Sequence, residues 1–249
     1  MGSLLYRAFA RLGRIVGTFL FRLTQKPVGF VARTCPITIG VASTIIAPDF
    51  VFIAIQTRGG KMILEGILTT ESEDGTLHVA PMGPEVNEEL TCWKLKPFQT
   101  SKSFRNLRRT NRGVLHVTDD SLLLAKAVLG QANDWPAHFD PAIGFRLEGA
   151  CHWYGLKIIE WDVSRDRAFA SAVVERFEVQ RPFFGWNRAK HAVLEAAILA
   201  SRVSMLERDS VIGDLERLKV WVQKTAGEKE QIAFAMLHDF ILENSNSNK

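Results

Sequence analysis

Three short stretches carry residue types able to do chemistry. In the first, Pro97 ends an extended run and Thr100-Ser101-Lys102-Ser103 opens a helical one, followed by Arg105 and Asn106. With Thr100 or Ser101 as N-cap, the first turn would present unpaired amide N–H groups and hydroxyls beside two cations, which suits a phosphate. The same residues equally serve to cap a surface helix. The second stretch is Ala80-Pro81-Met82-Gly83-Pro84. Its prolines remove ladder donors and its glycine lets a ligand or another chain approach the backbone closely. The third is Asp119-Asp120-Ser121 at a strand end, where Asp120 or Ser121 can cap the next helix. Asp119 is then the carboxylate expected to stay free, able to accept hydrogen bonds from the N–H groups of a ligand.

Weaker candidates lie outside these stretches. His191 and Glu195 stand four apart on a helix, a spacing that could serve a metal, but no third ligand is within reach by sequence and a salt-linked helix surface explains the pair. No metal site is assigned. Phe183-Phe184-Gly185-Trp186-Asn187-Arg188 puts aromatics and a cation at a strand-to-helix junction, either as packing or so that Arg188 or Lys190 reaches a bound anion. Cys35, Cys92 and Cys151 have no Cys-x-x-Cys spacing and read as ordinary buried thiols.

Positioning these groups requires strands first and helices last. Residues 62–70 and 77–86 form the two apolar arms of a hairpin around Asp74-Gly75. Strands follow at 90–96 and 113–118, with a helix from Ser101 to about Arg109 between them. A second helix spans Leu122 to Leu129, closed by Gly130. Residues 131–146 contain two prolines and a glycine and read as a loop, whose Trp135, His138 and Phe139 could cover an aromatic ligand. Two long strands, 147–163 and 168–179, bring the count to about six, enough to close a small barrel. From Asn187 the period becomes helical: a helix to about Leu206 with an alanine-rich face, then helices over 210–225 and 228–243. The fold class expected is α+β, an antiparallel barrel followed by a helical bundle.

The motifs Gly66-Ile-Leu-Thr-Thr70, Ala80-Pro-Met-Gly83, Pro97-Phe98-x-Thr100, Ser103-x-x-Asn106, Gly113-Val-Leu-His-Val-Thr-Asp-Asp120 and the segment from Phe183 to Ala200 resemble the DUF447 family of uncharacterised proteins. That family is similar to the flavin reductases and pyridoxamine-phosphate-oxidase-like proteins of the FMN-binding split β-barrel fold. The resemblance implies FMN as cofactor, a homodimer with flavin at the subunit interface, and a flavin-dependent oxidoreductase acting on an unknown small substrate. It hints at pterin-linked one-carbon metabolism. Thr100, Ser101, Ser103 and Asn106 would hold the phosphate, Ala80, Pro81, Met82 and Gly83 would lie along the isoalloxazine, and Asp119 would accept from ring or substrate. Ser101-Lys102-Ser103 departs from the Lys-Asp-Thr of flavin reductases, which keeps a non-enzymatic cofactor-binding module as the alternative.

The resemblance begins near Met62, dividing the chain into a leader over 1–61, a split-barrel domain over 62–181 and a helical domain over 182–249. The 249-residue chain has a net charge of +4. Its first 48 residues hold six basic and no acidic residues, whereas from residue 62 onward there are 23 basic and 26 acidic. The body therefore lacks the electrostatic footprint of a nucleic-acid binder. The leader fits a targeting peptide, a membrane-surface helix, or sequence upstream of a true start at Met62. The last reading gives a mildly acidic cytoplasmic protein with no stable membrane insertion.

Overall fold

The computed structural model describes residues 61–245, so the leader up to residue 60, with Cys35, lies outside the described residues. Ten strands form: β1 (Met62–Ile63), β2 (Gly66–Glu71), β3 (Leu77–Met82), β4 (Glu85–Val86), β5 (Trp93–Leu95), β6 (Arg112–Val117), β7 (Ala137–Asp140), β8 (Gly144–Leu147), β9 (His152–Asp162) and β10 (Phe169–Val179). Helices α1 (Lys102–Thr110) and α2 (Ser121–Val128) interrupt them. Three more, α3 (Arg188–Ser201), α4 (Arg208–Thr225) and α5 (Glu228–Asn244), follow.

Each arm of the first hairpin is broken once, at Leu64-Glu65 and at Gly83-Pro84, giving β1 with β2 and β3 with β4. The arms still pair with each other, β2 with β3 and β1 with β4. On one side β2 pairs with β6; on the other β4 pairs with β5, and β5, β10, β9 and β6 complete the circuit. All the pairings are antiparallel, and the six expected strands return on themselves as a small barrel. At the hairpin tip Gly75 takes φ +78°, a conformation cheap only without a Cβ, while Asp74 accepts hydrogen bonds from the amide and hydroxyl of Thr76.

The barrel interior holds Leu68, Trp93, Leu95, Leu115, Leu156 and Ala170, closed at one end by Leu107 of α1. A second cluster packs Ile67 and Val79 against Leu123 and Ala127 of α2. The alanine face of α3 (Ala189, Ala192, Ala196, Ala197, Ala200) meets α4 and α5, and removing its methyls and theirs from water holds the bundle together. Ser201 ends α3 earlier than expected, and a 3₁₀ turn over Val203–Met205 leads on to α4.

Residues 131–146 correct the sequence reading, since β7 and β8 form a hairpin there. Asp140 organises its turn by accepting from the amides of Ile143 and Ala142, and Gly144 takes φ +113°. The strands are four residues each, too short for alternation to show. Thr69 Oγ1 donates to the Phe145 carbonyl at 2.6 Å, fastening the hairpin to the barrel. His116 is wholly buried between them, its Nδ1 3.2 Å from the Ile67 carbonyl and its Nε2 accepting from the Leu147 amide at 3.0 Å. That pattern fixes the neutral Nδ1–H tautomer, and burial pushes its pKa down to about 4.

Candidate functional site: a groove between barrel and helices

A groove of about 500 Å³ runs between the barrel and helices α1, α2 and α3. Its size falls within the range of small-molecule and cofactor sites. One wall is the broken arm of the hairpin, Ala80-Pro81-Met82-Gly83, with Gly66 opposite. Leu124 and Val128 of α2 and Leu194, Ala197 and Ile198 of α3 supply an apolar wall, and Ser101 and Ser103 close one end. Six of the nine residues singled out in the sequence are thus brought together. A Cβ on Gly66 would stand 2.8 Å from the His116 carbonyl, so this strand packs against β6 only as glycine. A Cβ on Gly83 would meet the side chains of Ile63 and Glu65 at 2.9–3.0 Å.

At the α1 end, Ser101 is the N-cap. Its Oγ accepts from the Phe104 amide at 3.1 Å and donates to the Phe98 carbonyl at 2.7 Å. The amides of Lys102 and Ser103, at the start of the helix, have no intrahelical acceptor. No acidic residue lies in the first turn, so the partial positive charge of the helix end stands uncompensated. Ser103, 4% exposed, has its Oγ 3.2 Å from His78 Nε2. His78 shares a face of β3 with Ala80 and Met82. Burial, with Lys102 and Arg105 nearby, holds its imidazole below the usual histidine pKa.

Thr100 and Asn106 do not line the groove. Asn106 is buried and donates to Thr70 Oγ1 at 2.9 Å, tying α1 to β2. The Thr100 carbonyl accepts from Arg105.

Asp119 requires the largest correction. The sequence leaves it free to meet a ligand, whereas the structure commits both carboxylate oxygens. Arg181 donates to them at 2.5 and 3.2 Å and the Phe184 amide at 2.6 Å. Those bonds, the Arg181 ones foremost, lower its pKa to about 2. Asp120 caps α2, accepting from the amides of Leu122 and Leu123, and pairs with Lys229. Lys190 donates to the Asp119 carbonyl at 2.7 Å and to Glu230 at 2.8 Å, so it too is spent on joining barrel to bundle. Arg188 is exposed and outside the groove, and His191 stacks on Trp186 with ring centroids 5.3 Å apart. Trp135, His138 and Phe139 do not cover the groove: Trp135 packs beside α2, His138 meets Glu148 at 3.0 Å, and the Phe139 ring lies tilted against Phe145.

Sequence reasoning missed Lys96, Phe98, Arg167, Glu65 and Arg202, all of which line the groove. Arg167 stacks on Phe98 at 4.0 Å, and an isolated bridge pairs their backbones. Lys96 meets Glu85. The cations are separated by about 70 and 35 residues along the chain, and only barrel closure and the return of α3 gather them. Phe98 alone carried a local signal, as part of the Pro97-Phe98-x-Thr100 motif.

Fold and site together define an antiparallel split-barrel protein with a ligand-sized groove under appended helices. The chain matches the two domain models of the DUF447 family, described as proteins of unknown function, over residues 64–181 and 187–239. It belongs to that family. The structure is similar to that of an FMN-bound DUF447 protein from Methanosarcina mazei, with 19% identity over 73% of this chain and 96% of the other and a TM-score of 0.63. Slighter likenesses connect it with an FMN-binding protein from Thermus thermophilus (11% identity, 57% of this chain and 81% of the other, TM-score 0.42) and the styrene monooxygenase flavin reductase of Pseudomonas putida (14%, 47% and 80%, TM-score 0.39). No curated protein matches the sequence. Among the described residues no helix is long and apolar enough to cross a membrane, and no cluster of three metal-ligating side chains is found.

Proposed function

We propose that this protein binds FMN in the groove and works as a flavin-dependent oxidoreductase on a small substrate. The observation that carries the proposal is one continuous groove joining an uncompensated helix N-terminus to a proline-broken strand. The FMN-bound member of the same family supports it. The donor set fits the group. The amides of Lys102 and Ser103 and the Ser103 hydroxyl would hold the phosphate, with Lys102, Arg105 and Arg167 adding positive charge. Ala80 to Gly83 would face the ring, and Leu124, Val128, Leu194 and Ile198 would keep water from it. Thr100, Asn106 and Asp119 act by holding the frame.

FMN, when bound, supplies hydride or electron transfer; the chain binds it, orients it and excludes water. We read 62–181 as the cofactor domain and 182–249 as the helical wall that narrows the groove, and we propose a homodimer. Pterin-linked one-carbon metabolism is the setting in which to look for that substrate first, on the resemblance alone.

The test is equilibrium titration of the purified full chain with FMN, followed by mixing with NADH or NADPH. Saturable binding with a released species identified as FMN, and bleaching of the flavin absorbance by the nucleotide, are expected. Binding without reduction by either nucleotide or by chemical donors at a useful rate would leave a cofactor-binding module; failure to bind would sink the flavin reading.

A further inference from the structure

Among the described residues, Ser103 is the only hydroxyl at the α1 end that both lines the groove and is left with a hydrogen to give, because Ser101 already donates to Phe98. Its one partner among the described residues is His78 Nε2 at 3.2 Å. Direction in that bond depends on the imidazole tautomer. His78 Nδ1 is buried, with no partner among the described residues. A neutral imidazole carries a single N–H, and burying it at Nδ1 without an acceptor would cost more than leaving a bare ring nitrogen there, since orphaned donors are the rarer and dearer case. The proton therefore sits on Nε2 and is donated to Ser103 Oγ. Ser103 then accepts from His78, and its own O–H is turned to the groove.

Resting on the flavin reading above, we infer that His78 is a positioning residue, which through Nε2–H fixes the Ser103 hydroxyl as a donor to a phosphate oxygen at the α1 end of the groove. The frame for this is rigid. Asn106 bonds Thr70, the residue opposite His78 in the β2–β3 ladder, so α1 and β3 are held in one register. The neutral ring is also the form favoured here, because burial, Lys102 and Arg105 all oppose a second proton. The device gives selectivity for a phosphorylated flavin over the same ring system without phosphate. A serine that could rotate freely would as readily turn its lone pairs, which repel an anion, toward the site.

The test compares FMN with riboflavin, by fluorescence titration of the full chain. His78→Leu removes the Nε2–H; His78→Gln restores an N–H donor at about the same reach. In His78→Leu, FMN affinity is expected to fall about tenfold or more, the worth of one hydrogen bond to a charged group, while riboflavin affinity stays within about twofold. His78→Gln should recover most of the loss. Ser103→Ala should reproduce it, and adding His78→Leu to Ser103→Ala should cost nothing further, as expected of residues acting as a unit. An unchanged FMN-to-riboflavin ratio in His78→Leu, or equal losses for both flavins, would overturn the inference while leaving the flavin reading intact. Wild-type protein that binds neither flavin would overturn both. If His78→Leu does not fold, the Ser103→Ala and His78→Gln pair decides: loss in the first and retention in the second is the required pattern.

Discussion

Helices α1 and α2 begin alike, each after a strand and each in a polar run, yet the two ends meet opposite fates. At α2 the cap is the carboxylate of Asp120, so negative charge already answers the helix dipole. Around it Asp119 closes on Arg181 and Lys190 on Glu230, with the Ser121 hydroxyl on Glu230 as well, and the end becomes a joint between barrel and bundle. At α1 the cap is a neutral serine, the first turn holds Lys102 and Arg105 with no acid, and the end opens on a groove. The difference teaches that a helix N-terminus stays open toward a groove when its own cap and first turn carry no acid to answer the dipole. A carboxylate cap and nearby cations convert the same geometry into a brace.

Acid unfolding offers the largest effect, and one part of it isolates the α2 end from the rest of the barrel. His116 has a folded pKa of about 4 against an ordinary 6.5, so the unfolded chain takes up the proton first. Its contribution is complete above pH 6.5 and is lost as pH falls toward 4, about 3 kcal/mol in all. Asp119 follows in a lower window. Its pKa is lowered from 3.8 to about 2, so its contribution is complete above 3.8 and disappears as pH falls through 2. Urea unfolding across pH 7 to 2 should show both losses in the wild type. In Asp119→Ala the upper one should persist and the lower one shrink, the remainder belonging to Asp74, Glu85, Asp162 and Glu230, whose carboxyls are also held below their ordinary pKa; a lower loss of unchanged size would detach it from the α2 brace.

At neutral pH, Asp119→Ala should itself cost about 1–2 kcal/mol, because it removes the charge-assisted bonds from Arg181 and the Phe184 amide, although Arg181 keeps the Gly149 and Pro182 carbonyls. Flavin affinity should change by less than about twofold, since Asp119 does not line the groove. A large loss of affinity with stability intact would break the comparison. Ser101→Ala has the smallest expected effect, about 1 kcal/mol of stability from the lost cap, read in the same urea titration. Both bonding directions of Ser101 Oγ are spent within the chain, so FMN affinity should stay close to wild type, in contrast to Ser103→Ala.

Much of this was legible along the chain because the signals are local. The six barrel strands, the Asp74-Gly75 turn, the caps of α1 and α2 to within one residue and the alanine face of α3 each follow from residues within a turn or two of one another. The β7–β8 hairpin was not legible, because strands of four residues around a proline-containing turn leave no period to read. Ala80, Pro81, Met82, Gly83, Ser101 and Ser103 could be found for the same local reason: a strand that stops pairing and a helix that starts are both written in proline, glycine and hydroxyl residues.

The sequence by itself determined which polar groups gather at strand ends and helix starts, since propensity, capping and proline act over a few residues. Only the tertiary structure decided which of those groups remain available. Asp119 is claimed by Arg181, 62 residues away, and Asn106 by Thr70, 36 away, whereas Ser103 gains His78 and still faces the groove. Charge and hydrogen bonding are settled at distances of about 3 Å, and which residues come that close is fixed by barrel closure and by the docking of α3, not by spacing along the chain.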